Sequence, residues 1–124
     1  MNRFGTRLVA LAAISLLLSA SFVAARANVE GEWEVTLETD ADTMKPRLTL
    51  KQDEEDVTGT YKDEFGTAAL SGSITGNEIS LQFRADIPNE NLIVTYTGTV
   101  EGSTMRGLVK FGDLGEGTFT ARKQ

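Results

Sequence analysis

The chain has 124 residues with 18 acidic and 12 basic side chains, a net charge of −6, and neither cysteine nor histidine. That composition excludes disulfides, thiol nucleophiles and lipidation at a cysteine, removes imidazole as a base or zinc ligand, and argues against nucleic acid or an anionic membrane surface as partner. Any catalytic site would rest on carboxylates, Tyr, Lys or Arg; no serine stands in a nucleophile elbow and no paired-carboxylate signature is visible, so the chain reads as a non-enzyme.

Arg3 and Arg7 precede an uncharged apolar run from Leu8 to Ala25, and Ala25-Arg26-Ala27 is a small-x-small cleavage site. This is the pattern of a secretory signal peptide rather than a membrane anchor, since the run is near the lower limit for a span and contains three serines. The expected location is the periplasm or the outside medium, with no stable membrane anchor. Cleavage after Ala27 assigns residues 1–27 to the signal peptide and 28–124 to a single domain. It removes three of the 12 basic residues and none of the 18 acidic ones, leaving 97 residues with a net charge of −9. A charge of this size suits solubility, or a basic partner. Without disulfides, a closed hydrophobic core must hold such a domain, which favours a barrel over a sheet with free edges.

The first strand spans Gly31 to Glu38, with Trp33, Val35 and Leu37 on one face and Glu32, Glu34, Thr36 and Glu38 on the other. Period two with a clean polar face marks a half-buried strand. A loop rich in Asp and Thr follows from Thr39 to Lys45. Pro46 opens the second strand, where a missing N–H is tolerated, and Leu48, Leu50 and Gln52 point inward. Asp53 to Asp56 forms a hairpin tip. The third strand turns Val57, Gly59 and Tyr61 inward before a turn from Asp63 to Gly66. The fourth and fifth strands do the same with Ala68, Leu70, Gly72 and Ile74, then Ile79, Leu81 and Phe83. Ala85 to Asn91, which holds Pro88, reads as a longer loop. The sixth strand places Leu92, Val94, Tyr96, Gly98 and Val100 inside, and the seventh Met105, Gly107, Val109 and Phe111. After Gly112 to Gly115 the eighth strand closes with Gly117, Phe119 and Ala121 inside.

One hairpin occurs twice, from Leu70 to Phe83 and from Tyr96 to Phe111, each turning on Gly76-Asn77 or Gly102-Ser103. Gly between alternating runs supplies the positive φ of a tight primed turn. Eight short strands joined almost entirely by short turns suffice to close an all-β, antiparallel up-and-down barrel. A β-sandwich would carry a long crossover connection, and none is visible. Inward glycines in mid-strand, among them Gly59, Gly72, Gly98 and Gly107, fit tight coiling at barrel bends.

Gly31-x-Trp33, Thr58-Gly59-Thr60-Tyr61, Thr95-x-Thr97-Gly98 and Gly117-Thr118-Phe119-Thr120 resemble the avidin/streptavidin barrel. Together with Leu48-x-Leu50-x-Gln52 and the repeated hairpin, they resemble still more closely a small secreted bacterial eight-stranded β-barrel domain, found alone or appended to exported amidohydrolase-like enzymes. The resemblance implies a meander barrel of avidin, lipocalin and calycin type. It implies that Trp33 is a structural tryptophan at the barrel base and that Tyr61 matches a tyrosine that touches biotin in avidins. It does not extend to biotin: Lys62-Asp63 replaces the polar hydroxyl residue that binds the biotin head, and Trp33 is the only tryptophan.

Candidate binding residues are the inward ones with polar tips, Tyr61, Tyr96 and Gln52, beside Phe83, Phe111, Phe119 and Met105. In one reading they hold a small apolar or amphipathic ligand inside the barrel. In the other the polar tips satisfy one another, the core is solid, and the acidic face or the threonine-rich last strands dock on an exported protein partner. Asp53 to Asp56 lacks the spacing of a calcium loop and reads as a solvated tip that discourages edge pairing; no metal and no cofactor is expected. Arg84 and Arg106 fall on the outer face by periodicity, as do Ile93 and Leu108, which would mark a self-association face if the chain is a small homo-oligomer rather than a monomer.

Overall fold

A computed structural model describes residues 26–87 and 90–124, and the alternation of apolar and polar residues there is realised as nine β-strands. The apolar run Leu8–Ala25 lies outside those residues. The strands are β1 (Gly31–Glu38), β2 (Thr43–Met44), β3 (Arg47–Asp53), β4 (Asp56–Asp63), β5 (Gly66–Thr75), β6 (Glu78–Ile87), β7 (Glu90–Glu101), β8 (Thr104–Phe111) and β9 (Glu116–Lys123). β2 is a two-residue piece folded back on β1, where Leu37 faces Met44. The other eight form an antiparallel meander, and β1 closes it by pairing with β9 from Trp33↔Lys123 to Glu38↔Thr118. Closure gives both outer strands of the meander a partner, so backbone donors and acceptors there are met by a neighbouring strand.

Two expected loops are corrected. Between Thr39 and Lys45 the chain forms β2, and Thr39 ties the turn by accepting from Asp42 N–H through its hydroxyl at 3.1 Å. The segment from Ala85 to Asn91 is mostly paired strand: Ala85↔Leu92, Asp86↔Asn91 and Ile87↔Glu90 extend the β6–β7 ladder. Its polar composition suggests a loop, but paired strands satisfy their backbone donors and acceptors whatever side chains they carry.

Inward glycines have a steric cause. A Cβ on Gly59 would sit 1.8 Å from the Thr49 carbonyl oxygen, and one on Gly72 1.8 Å from that of Ser80. The strands are coiled so strongly at these points that only a hydrogen fits between them. Three hairpins at one end of the barrel turn on two residues, with φ of 57° at Glu54, 58° at Gly76 and 60° at Gly102. Gly76 and Gly102 meet that requirement without a Cβ, as a primed turn with glycine first demands.

The end carrying these three turns is plugged. Ala27–Glu30, which shows no periodicity, folds across it. Ala27 N–H donates to the Gly76 carbonyl at 3.0 Å, and Val29 is fully buried. Beneath the plug lies a solid apolar core with Trp33, Leu50, Val57, Ile74, Val100 and Met105 all at 2 % exposure or less. Two surface ion pairs, Arg47–Glu34 at 3.9 Å and Arg106–Glu101 at 3.7 Å, are well exposed and add little to stability.

Candidate functional site

At the opposite end the inward side chains do not fill the barrel. They surround a cavity of about 630 Å³. Its wall is drawn from seven strands: Leu37 of β1, Met44 of β2, Tyr61 and Asp63 of β4, Ala68 of β5, Phe83 and Ala85 of β6, Val94 and Tyr96 of β7, and Phe111 of β8. Phe65 of the β4–β5 turn and Gly66 and Thr67 at the start of β5 also line it and are exposed, so the cavity communicates with solvent there. The volume falls in the range of pockets that take small molecules.

Aromatic rings span the interior. Tyr61 stacks on Phe83 with centroids 4.1 Å apart, Phe83 lies 6.3 Å from Tyr96, and Phe119 meets Tyr96 edge-on at 4.9 Å. Offset and edge contacts of this kind fix ring positions in a wall that lacks close neighbours on the cavity side.

The two tyrosine hydroxyls differ. Tyr61 donates to Asp63 Oδ2 at 2.9 Å, while Asp63 Oδ1 accepts from Phe65 N–H at 2.8 Å and Gly66 N–H at 3.1 Å. Asp63 therefore closes the turn and anchors Tyr61 at once. The Tyr96 hydroxyl is buried and has no hydrogen-bond partner among the described residues. Burial pushes the pKa of both hydroxyls well above the ordinary tyrosine value; Asp63 adds to the rise at Tyr61 by accepting its hydrogen bond, and at Tyr96 by its charge. Both hydroxyls stay protonated at neutral pH and can act as donors.

Of the seven candidate residues, Tyr61, Tyr96, Phe83 and Phe111 come together on the cavity wall. Phe119 stands behind Tyr96. Met105 belongs to the solid half, opposite Val100. Gln52 is at the plugged end, where its Oε1 accepts from Val29 N–H at 2.8 Å and its Nε2 donates to the carbonyls of Ala27 and Glu54 at 3.0 Å each. Trp33 lies at that end too, with its indole N–H on the Val29 carbonyl at 2.9 Å. Asp63, Phe65 and Met44 were not among the candidates. Asp63 shares the inward parity of Val57, Gly59 and Tyr61, and an Asp three residues before a Gly is a turn signal, so its place was available from the sequence. Arg84, Arg106, Ile93 and Leu108 are exposed on the outer face. Among the described residues no group of three or more carboxylates converges as a cation site.

Fold and cavity define a closed eight-stranded antiparallel barrel, solid and plugged at one end and hollow at the other. No protein-family model matches the chain, and no curated protein is similar to it in sequence, so the likeness to the avidin barrel rests on the short motifs alone.

Proposed function

We propose that this chain is an exported, non-enzymatic binding domain that takes a small, mostly apolar molecule into the open end of its barrel, in the manner of calycin-type proteins. The observation that carries this reading is the Tyr96 hydroxyl, buried and unpartnered on the wall of an apolar cavity of about 630 Å³. A buried hydroxyl left without a partner costs on the order of 1–3 kcal/mol. A ligand that supplies the missing hydrogen bond recovers that cost, so the site is arranged to be completed from outside. Export is supported by the signal-peptide pattern of the first 27 residues.

The test is native against denaturing mass spectrometry of the protein purified from its own host. The expected result is a mass excess that disappears on denaturation, and a loss of that excess in a variant whose cavity is filled, Ala68→Trp. A bare chain mass, together with no uptake of Nile red by the folded protein, would sink the reading.

A second reading, docking on another exported protein, is favoured by two large apolar side chains at the open end. Phe65 on the β4–β5 turn is 81 % exposed and Leu114 on the β8–β9 turn 68 %. Co-purification of a partner that is lost on Phe65→Ser and Leu114→Ser, with the small-molecule mass excess absent, would select it.

A further inference from the structure

Resting on the cavity-binding reading, we propose that the site selects by charge: it admits amphiphiles whose polar group is an uncharged hydrogen-bond acceptor and rejects carboxylates. Three observations on the cavity wall carry this.

First, the only charged side chain among the described lining residues is Asp63. No Lys or Arg is among the described lining residues; Lys45, Lys62, Arg84 and Lys110, the cations next in the chain to lining residues, are all exposed to solvent. A carboxylate entering the barrel would lose water, meet no cation and lie in the field of another carboxylate. Like charges brought together in such a site cost several kcal/mol, whereas sites built for carboxylates supply an Arg fork or several N–H donors.

Second, Asp63 cannot swing aside to avoid that clash. Oδ1 is held by the N–H groups of Phe65 and Gly66, and Oδ2 by the Tyr61 hydroxyl. Moving it would break the turn and free Tyr61 together.

Third, the donors left for a ligand are few. Tyr61 has spent its proton on Asp63, and among the described residues the Tyr96 hydroxyl is the one buried polar side-chain group with nothing to bond. One neutral donor matches one carbonyl or hydroxyl oxygen on an otherwise apolar molecule. It does not satisfy a carboxylate, which has about four acceptor sites.

Equilibrium dialysis of the purified full domain against radiolabelled decanol and, separately, decanoate at mildly alkaline pH tests this directly, because the two probes differ only in the polar end. Decanoate is expected to bind at least about tenfold more weakly than decanol. Asp63→Asn keeps an oxygen for the Phe65 and Gly66 N–H groups, so the turn survives; it should raise decanoate affinity by about threefold or more while decanol changes by less than about twofold. Tyr96→Phe should weaken decanol by about threefold to tenfold, the worth of one neutral hydrogen bond. Decanoate binding as tightly as decanol, or unmoved by Asp63→Asn, overturns charge selection while leaving the cavity reading standing. Failure of both probes, with no mass excess in the native spectrum, overturns the cavity reading and this inference with it.

Discussion

At the plugged end of the barrel the polar groups that face inward are all provided for: the Trp33 indole N–H reaches Val29, and the Gln52 amide makes three hydrogen bonds to the segment and turn that cover it. At the hollow end Tyr61 is provided for by Asp63, and Tyr96 is left without a partner. Both ends are built from the same strands with the same alternation. What separates them is the four-residue segment Ala27–Glu30, which closes one end, and the absence of any equivalent at the other among the described residues. A barrel of eight strands has room to be filled by its own side chains, and one half of this barrel is. The other half carries large aromatic residues and still leaves a solvent-connected cavity of about 630 Å³.

The largest expected effect comes from removing one large side chain from each end. Trp33→Ala empties the solid half beneath the plug and takes away the partner of Val29; a loss of about 3–5 kcal/mol is expected, enough to unfold much of a marginal domain. Phe111→Ala removes a half-buried ring from a wall that already borders empty space, and should cost about 1 kcal/mol. Urea unfolding of the two variants measures the contrast. Equal losses would mean that the hollow end is as tightly built as the plugged one.

Next in size is Gln52→Ala. It leaves Val29 N–H and the Ala27 carbonyl without partners where water enters poorly, and about 2 kcal/mol of stability should go. Affinity for an apolar ligand at the far end should be unchanged, because Gln52 does not reach the cavity. A matching drop in affinity would show that the two ends are coupled through the interior.

How far these features were legible in the sequence depends on direction in the barrel. Alternation says whether a side chain points in or out, and it placed Trp33, Tyr61, Phe83, Tyr96 and Phe111 inside. It says nothing about height along the barrel axis. Gln52 and Tyr61 have the same inward parity, yet lie at opposite ends because β3 and β4 run antiparallel, with Gln52 facing Val57 and Leu48 facing Tyr61. Height follows from register, which links strands distant in sequence. The plug was invisible for a related reason: Asn28, Val29 and Glu30 have no period, and their role appears only once Gly76 and Gln52 have been brought to them. The hairpin glycines, by contrast, act within four residues of chain, and the positive φ at Gly76 and Gly102 was readable directly.

Tyr96→Phe should give a smaller change of opposite sign. Removing an unpartnered buried hydroxyl while keeping the ring contacts with Phe83 and Phe119 is expected to raise the stability of the empty protein by about 0.5–1 kcal/mol. The same change weakens binding of a hydrogen-bonding ligand. Thermal unfolding with and without decanol separates the two effects: the variant should melt higher when empty and gain less from ligand. A variant that is less stable when empty would mean that the hydroxyl is satisfied by water and is not an open valence.

An effect confined to stability, with none on binding, concerns the turns of the plugged end. Glu54, Gly76 and Gly102 share nearly the same φ, 57° to 60°, but only the last two lack a Cβ. An L-residue there carries a steric cost of about 1–2 kcal/mol, and glycine returns part of the gain as greater freedom in the unfolded chain, about 0.5–1 kcal/mol. Glu54→Gly should therefore raise stability by roughly 0.5–1 kcal/mol, with no change in ligand affinity. The Glu54 carbonyl still accepts from Gln52 Nε2, so the link between turn and plug is preserved. If the variant is instead less stable, the acidic side chain contributes at the tip in a way its backbone angle conceals. Glu54→Ala, which keeps the Cβ and removes the charge, then tells the two causes apart: a loss equal to that of Glu54→Gly assigns the contribution to the carboxylate, and no loss assigns it to the backbone.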